Sequence, residues 1–156
     1  MELKDLKKEY ADLQKKYKLP SFKELNDDFE IDKIDRETDN MLRLIRKVMM
    51  EKIANSLAFV EMIANPGNAP RVYLNFIKGI TNGERKDLEI LFDKLGKMSM
   101  VSISAEIDYS EKKEAELIKY ILKDWNAIKP NFRKIMEAMN VQQPDEEPRH
   151  EKSYYG

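Results

Sequence analysis

The sequence predicts an all-α protein: an antiparallel bundle of three long helices and two or three short ones, with an N-terminal heptad arm and a disordered C-terminal tail. Apolar residues recur at 3- and 4-residue steps through most of the chain. Only 5 Gly and 6 Pro interrupt its 156 residues. The connections those breaks leave are short, so neighbouring long helices should run antiparallel.

Leu3, Leu6, Tyr10, Leu13 and Tyr17 repeat at 3, 4, 3 and 4 residues, a heptad seam with charged residues between. A helix this short is marginal alone, so the arm over residues 1–19 must pack on its own bundle or on another chain. Pro20 ends it. Ser21 and Glu24 form a capping box for a short helix burying Phe22 and Leu25. From Glu24 to Asn40 eight acidic residues face only Lys33 and Arg36, which reads as a solvated connection. Residues 20–35 thus hold a short helix and an acidic link.

Residues 36–64 are expected to form the central helix, with Leu42, Ile45, Met49, Ile53, Leu57, Val60 and Ala64 along one side. Lys52, Asn55 and Ser56 interrupt its second apolar surface. Asn65-Pro66-Gly67-Asn68 is a stop in which Gly67 supplies a left-handed turn and Asn68 caps the next helix, with Pro70 in its first turn. Tyr73, Phe76, Ile77 and Ile80 then share a face of a short helix ending near Gly79. Thr81 and Glu84 read as another capping box, followed by Leu88, Leu91, Leu95, Met98, Ser102 and Ala105 at heptad spacing. Gly96, Ser99 and Ser102 are small enough for a neighbouring helix to approach closely. Residues 98–107 also alternate like a strand, but a lone strand would leave its backbone unpaired, so helix is expected.

Asp108 and Glu111 open the last helix, whose inner face is Ala115, Ile118, Leu122, Trp125, Phe132, Ile135 and Met139. Pro130 should kink or break it near Asn126. Residues 1–140 therefore form a single helical domain and residues 141–156 a flexible tail.

Composition excludes several chemistries. With no Cys and one His, there are no disulfides, thiolate zinc sites, cysteine nucleophiles or two-histidine metal sites. No cofactor is expected. The formal charge of −1 argues against a uniformly basic nucleic-acid coat. There is no apolar leader and no span of membrane length, so no membrane partner and a cytoplasmic location are expected. Asp28, Glu30, Asp32 and Asp39 imitate EF-hand spacing, but Lys33 stands where the loop needs Gly. The stretch from Gly79 to Lys86 lacks the glycine spacing of a phosphate loop. Glu51 and Glu61 are the acids inside the most apolar helix, without the Glu-x-x-His motifs of a di-metal bundle.

Three sets of residues remain as candidates. The first reading is a non-enzymatic helical module that binds a protein partner or itself, through Leu3, Leu6, Tyr10, Leu13 and Tyr17 of the arm and Tyr154 and Tyr155 of the tail. The second is RNA, DNA or ribonucleoprotein binding through basic helix faces carrying Arg43, Arg46, Lys47, Lys119, Lys123, Arg133 and Lys134, if they merge into one stripe. The alternative for these is ordinary helix surface balanced by acids on neighbours. The third is a ligand-binding or enzymatic bundle with a polar pocket around Lys52, Asn55 and Ser56, against a lysine that merely snorkels to water.

Overall fold

The computed structural model describes residues 2–34 and 40–140. It is all-helical: α1 (Leu3–Tyr17), α2 (Phe22–Phe29), α3 (Met41–Ala64), α4 (Arg71–Ile77), α5 (Arg85–Ile107) and α6 (Glu111–Ala138), with 3-10 turns at Ile31–Lys33 and Pro66–Asn68. The expected tail at 141–156 and the residues 36–39 assigned to the central helix lie outside the described residues. Among those described, no helix is long and apolar enough to cross a membrane.

The three long helices pack on one another around Leu42, Ile45, Met49, Ile53, Leu91, Leu95, Met98, Ile118, Ile121 and Ile128, all nearly or fully inaccessible. Side-chain pairing fixes their directions. Arg46 near the start of α3 bonds Ser102 and Glu106 near the end of α5, so α3 and α5 are antiparallel. Asp87 at the start of α5 meets Asn131 late in α6, so α5 and α6 are antiparallel as well. The order is up, down, up, as the short connections require.

The arm folds back. Leu6 and Tyr10 are buried, and Leu13 and Tyr17 pack against the core. The Tyr10 hydroxyl donates to the Pro20 carbonyl at 2.6 Å, and the Tyr17 hydroxyl to Glu111 at 2.5 Å. Burial, helped by the charge of Glu24, pushes the Tyr10 phenol well above its usual range. Helix α2 begins with the expected reciprocal Ser21–Glu24 cap. It buries Leu25 and Phe29, and Phe29 meets Trp125 of α6 at a ring separation of 5.9 Å. Together α1 and α2 cover the outer groove between α3 and α6.

Several boundaries differ from the sequence expectation, each for a local reason. Helix α3 starts at Met41, with Asn40 outside it and making no side-chain cap. Gly67 does not turn left-handed, because the stop is a 3-10 turn; among the described residues those with positive φ are Lys18, Glu30 and Asn140. Pro70 rather than Asn68 holds the cap position of α4, since its fixed φ already suits a helix entry. Thr81 donates both its N–H and its hydroxyl to the Glu84 carboxylate, but the return bond of a capping box is missing, because the Glu84 N–H donates to the Thr81 carbonyl instead; α5 starts at Arg85. Ser110, not Asp108, caps α6, accepting from the Lys113 N–H. Pro130 does not break α6, which runs unbroken to Ala138. The missing donor removes a single rung, while buried Trp125, Ile128 and Ile135 on either side hold the helix against the core. Residues 98–107 are helix, as expected.

Two of the glycines play unforeseen parts. Gly96 faces no neighbour: a Cβ built there meets nothing within 4 Å. Gly79 is the close approach, because a Cβ there would lie 2.1 Å from the Ala138 carbonyl oxygen. The α4–α5 turn and the end of α6 are therefore in backbone contact.

Candidate interaction surface

The structure disperses the candidate residues read from the sequence. Of the arm's seam only Leu3 is exposed; the rest is spent on the molecule's own core. Tyr154 and Tyr155 lie outside the described residues.

The basic residues do not join into one stripe. Arg46 is 1% exposed and turned inward. Arg43 pairs with Glu106 at 2.6 Å and lies over the Tyr109 ring. Lys119 donates to the Tyr17 carbonyl. Lys134 approaches Asp87 at 3.8 Å. Lys47 on α3 and Lys123 and Arg133 on α6 are exposed. Acids of neighbouring helices pair with three of the seven, Arg43, Arg46 and Lys134.

Lys52 neither lines an enclosed polar pocket nor floats free. Its ammonium donates to the Asp28 carbonyl and sits over the rings of Trp125 and Phe29, at 5.3 and 5.7 Å. It clamps α2 to α3 and α6. An open cleft of about 890 Å³ runs beside it, lined by Lys52 and Asn55 among others; Ser56 is not in its wall. Three of the acids lining that cleft are engaged: Asp27 pairs with Lys23 at 2.6 Å, Asp28 with Lys129 at 2.8 Å, and Glu30 with Lys33 at 2.8 Å. Among the described residues no group of side chains is arranged to hold a metal ion; Asp39 of the calcium-like spacing lies outside them.

The most buried polar cluster was not legible as a site. Arg46 reaches across from α3 to Glu114 on α6, itself 1% exposed, with two bonds, one at 3.1 Å and one shorter. It also donates to Ser102 at 2.7 Å and to Glu106 at 2.6 Å on α5. Burial disfavours the guanidinium's charge, but the bonds to Glu114 and Glu106 outweigh that and raise its pKa further. Hydrogen bonds from Arg46 and Arg43 hold the Glu106 carboxyl down at about 2. One arginine thus ties all three long helices. The signal was present in the helical phase: Glu114 falls one turn before Ile118 on the inner face, and Arg46 beside Ile45 and Met49.

Exposed apolar side chains gather instead on α4 and the outer side of α5. Val72, Tyr73 and Phe76 project from α4, which buries none of its residues. On α5, Phe92 is 43% exposed, Met100 66%, Ile103 59% and Ile107 78%. Steps of 4, 4, 3 and 4 through Phe92, Gly96, Met100, Ile103 and Ile107 place them in one stripe about 100° from the buried leucines. Two hollows lie along it. One, of about 730 Å³, is walled by Ile63, Ile77, Ile80, Leu88 and Phe92 where α3, α4 and α5 meet. The other, of about 490 Å³, lies between Met50 and Ala54 of α3 and Ser99 and Ile103 of α5. The groove between α3 and α6 is filled by α1 and α2; the one between α3 and α5 is open.

No family model, curated protein or solved structure matches the chain. The chemistry of this face is therefore read from its residues alone. It offers exposed apolar side chains beside polar and charged ones, Thr81, Asn82, Arg85, Glu89 and Asp93 at the larger hollow and Lys47, Glu51 and Glu106 at the smaller, which suits recognition of an amphipathic helix.

Proposed function

We propose that the chain is a non-enzymatic helical module that binds other proteins through the open face formed by α4 and the α3–α5 groove. The observation that carries this is the second apolar stripe of α5. Phe92, Met100, Ile103 and Ile107 are at least two-fifths exposed although α5 already buries Leu88, Leu91, Leu95 and Met98 on its inner side. Contiguous apolar surface on a folded scaffold marks an interaction site more often than isolated exposed residues do. The contact surface differs from the arm proposed on sequence grounds, since Leu6 and Tyr10 are occupied at home. The nucleic-acid reading loses Arg46, whose guanidinium no phosphate can reach. A cytoplasmic setting is kept on composition alone.

The test is a photo-crosslinking side chain placed at Ile103, compared with one at Lys123 on the exposed side of α6, in cells of the native host. Protein adducts at Ile103 that exceed those at Lys123 are expected. Absence of adducts at Ile103, or equal yields at both positions, overturns the proposal.

A further inference from the structure

We infer that the occupant of the α3–α5 face is a second copy of this chain, packed antiparallel on the first about a two-fold axis that passes close to Gly96. This rests on the reading of that face as a binding site, and it names the partner.

Shape supports it first. The face has a hollow at one end and projecting apolar side chains at the other. The hollow of about 730 Å³, walled by Ile63, Ile77, Leu88 and Phe92 among others, lies four to eight positions before Gly96 on α5. Ile103 and Ile107, 59% and 78% exposed, stand seven and eleven positions after it. At helical rise, hollow and projection are centred roughly 9 and 13 Å from Gly96, on opposite sides of it. A two-fold axis there, perpendicular to α5, turns the projection of each copy towards the hollow of the other. Contacts of this isologous kind come in identical pairs, so one fit is made twice. The amphipathic helix that the face suits is thus one the chain itself carries.

Charge supports it second. On α3, Lys47 and Glu61 are exposed and stand seven positions either side of Ala54, on one side of the helix. Ala54 borders the smaller hollow with Ser99 and Ile103, so it is level with the middle of α5. Neither Lys47 nor Glu61 enters an ion pair among the described residues. The same axis sets the two α3 helices antiparallel and brings Lys47 of each copy beside Glu61 of the other. Asp93 and Lys97 of α5 are likewise exposed and without an ion pair among the described residues. They flank Gly96, so the axis pairs them crosswise too. An axis running along the helices would instead lay α3 on the other copy's α5 and press Lys47 against Ile103, a charge against apolar surface. Opposite charges placed crosswise in this way select the antiparallel register over the alternative.

The test is sedimentation of the full-length protein. Wild type should form a dimer with twice the 18.4 kDa mass of one chain. Ile103→Asp, at a position too exposed for folding to be at stake, should abolish it, because the carboxylate would enter the apolar hollow. Lys47→Glu should raise the dissociation constant roughly ten-fold by bringing like charges together. Lys47→Glu/Glu61→Lys should restore it, since both crosswise pairs return with their signs exchanged. A single-chain mass at every concentration up to that used for NMR overturns the inference. So does a dimer that survives Ile103→Asp, or a double exchange that associates no better than Lys47→Glu. Crosslinks from Ile103 to proteins other than this chain, with the chain itself monomeric, overturn the inference and leave the binding reading standing; absence of any crosslink at Ile103 removes both.

Discussion

Glu106 shows how one side chain carries a pH dependence. Its carboxyl receives hydrogen bonds from Arg46 and Arg43 and is held at about 2, against an ordinary value of about 4.3. Between those pH values the unfolded chain takes up a proton that the folded chain refuses. The contribution is complete above the unfolded value and declines as pH falls towards 2. The side chain is 38% exposed, so solvent screens much of the gain. Urea melts between about pH 5 and about pH 3 should show wild type losing stability more steeply than Glu106→Gln; equal slopes would refute the assignment. Glu106 was invisible in the sequence because an acid near a helix end is ordinarily solvent-facing, and only the fold brings two arginines of α3 to it. The Ser21–Glu24 cap, by contrast, needed nothing beyond four consecutive residues.

At the level of elements, the two glycines of α5 and its preceding turn make opposite predictions. Gly79→Ala pushes a methyl into the Ala138 carbonyl and should cost about 1–3 kcal/mol, by prising the end of α6 from the turn. Gly96→Ala adds a methyl in open space and should stabilise by roughly 0.5–1 kcal/mol through helix propensity alone. Thermal melts of both variants decide it, and a neutral Gly79→Ala would mean the contact is not made in solution. Sequence reasoning placed the close approach at Gly96 and read Gly79 only as the end of the short helix. A small residue announces that something can come near, not what does, and the partner at Gly79 is nearly sixty positions away. The helices themselves were legible because buried faces impose a 3.6-residue period that survives without tertiary information. Helix α4 was the exception. Its spacing resembles a buried face, yet Val72, Tyr73 and Phe76 stay exposed and only Ile77 packs partly against the core, and periodicity has no means of distinguishing a core from an interface.

The whole molecule is specified by a polar tie inside an otherwise greasy centre. Leucines and isoleucines allow helices to slide and rotate at small cost, whereas Arg46 has bonding partners on both α5 and α6 at one arrangement only. Arg46→Ala strands Glu114 without its partner in a dry site and should cost about 3–5 kcal/mol. Replacing the pair together, as Arg46→Met/Glu114→Leu, should recover most of that loss, with a less uniquely packed bundle as the consequence. Denaturant melts read the first effect and amide signal dispersion the second. A cost below about 1 kcal/mol for Arg46→Ala would show the pair to be as weak as a surface one. The arrangement of three helices was predictable from connection lengths, but which outer groove the N-terminal segment would fill was not. That choice depends on Phe29 finding Trp125 and on Lys52 closing over both, contacts between residues up to 96 positions apart.

The indole of Trp125 is the chain's single tryptophan, 7% exposed and held between Phe29 and Phe132 beneath the Lys52 ammonium. Its emission is therefore a built-in fluorescent gauge of whether the N-terminal segment is seated. The same location makes it blind to events on α4 and outer α5, so a spectrum that stays constant during a titration would say nothing about that side of the molecule.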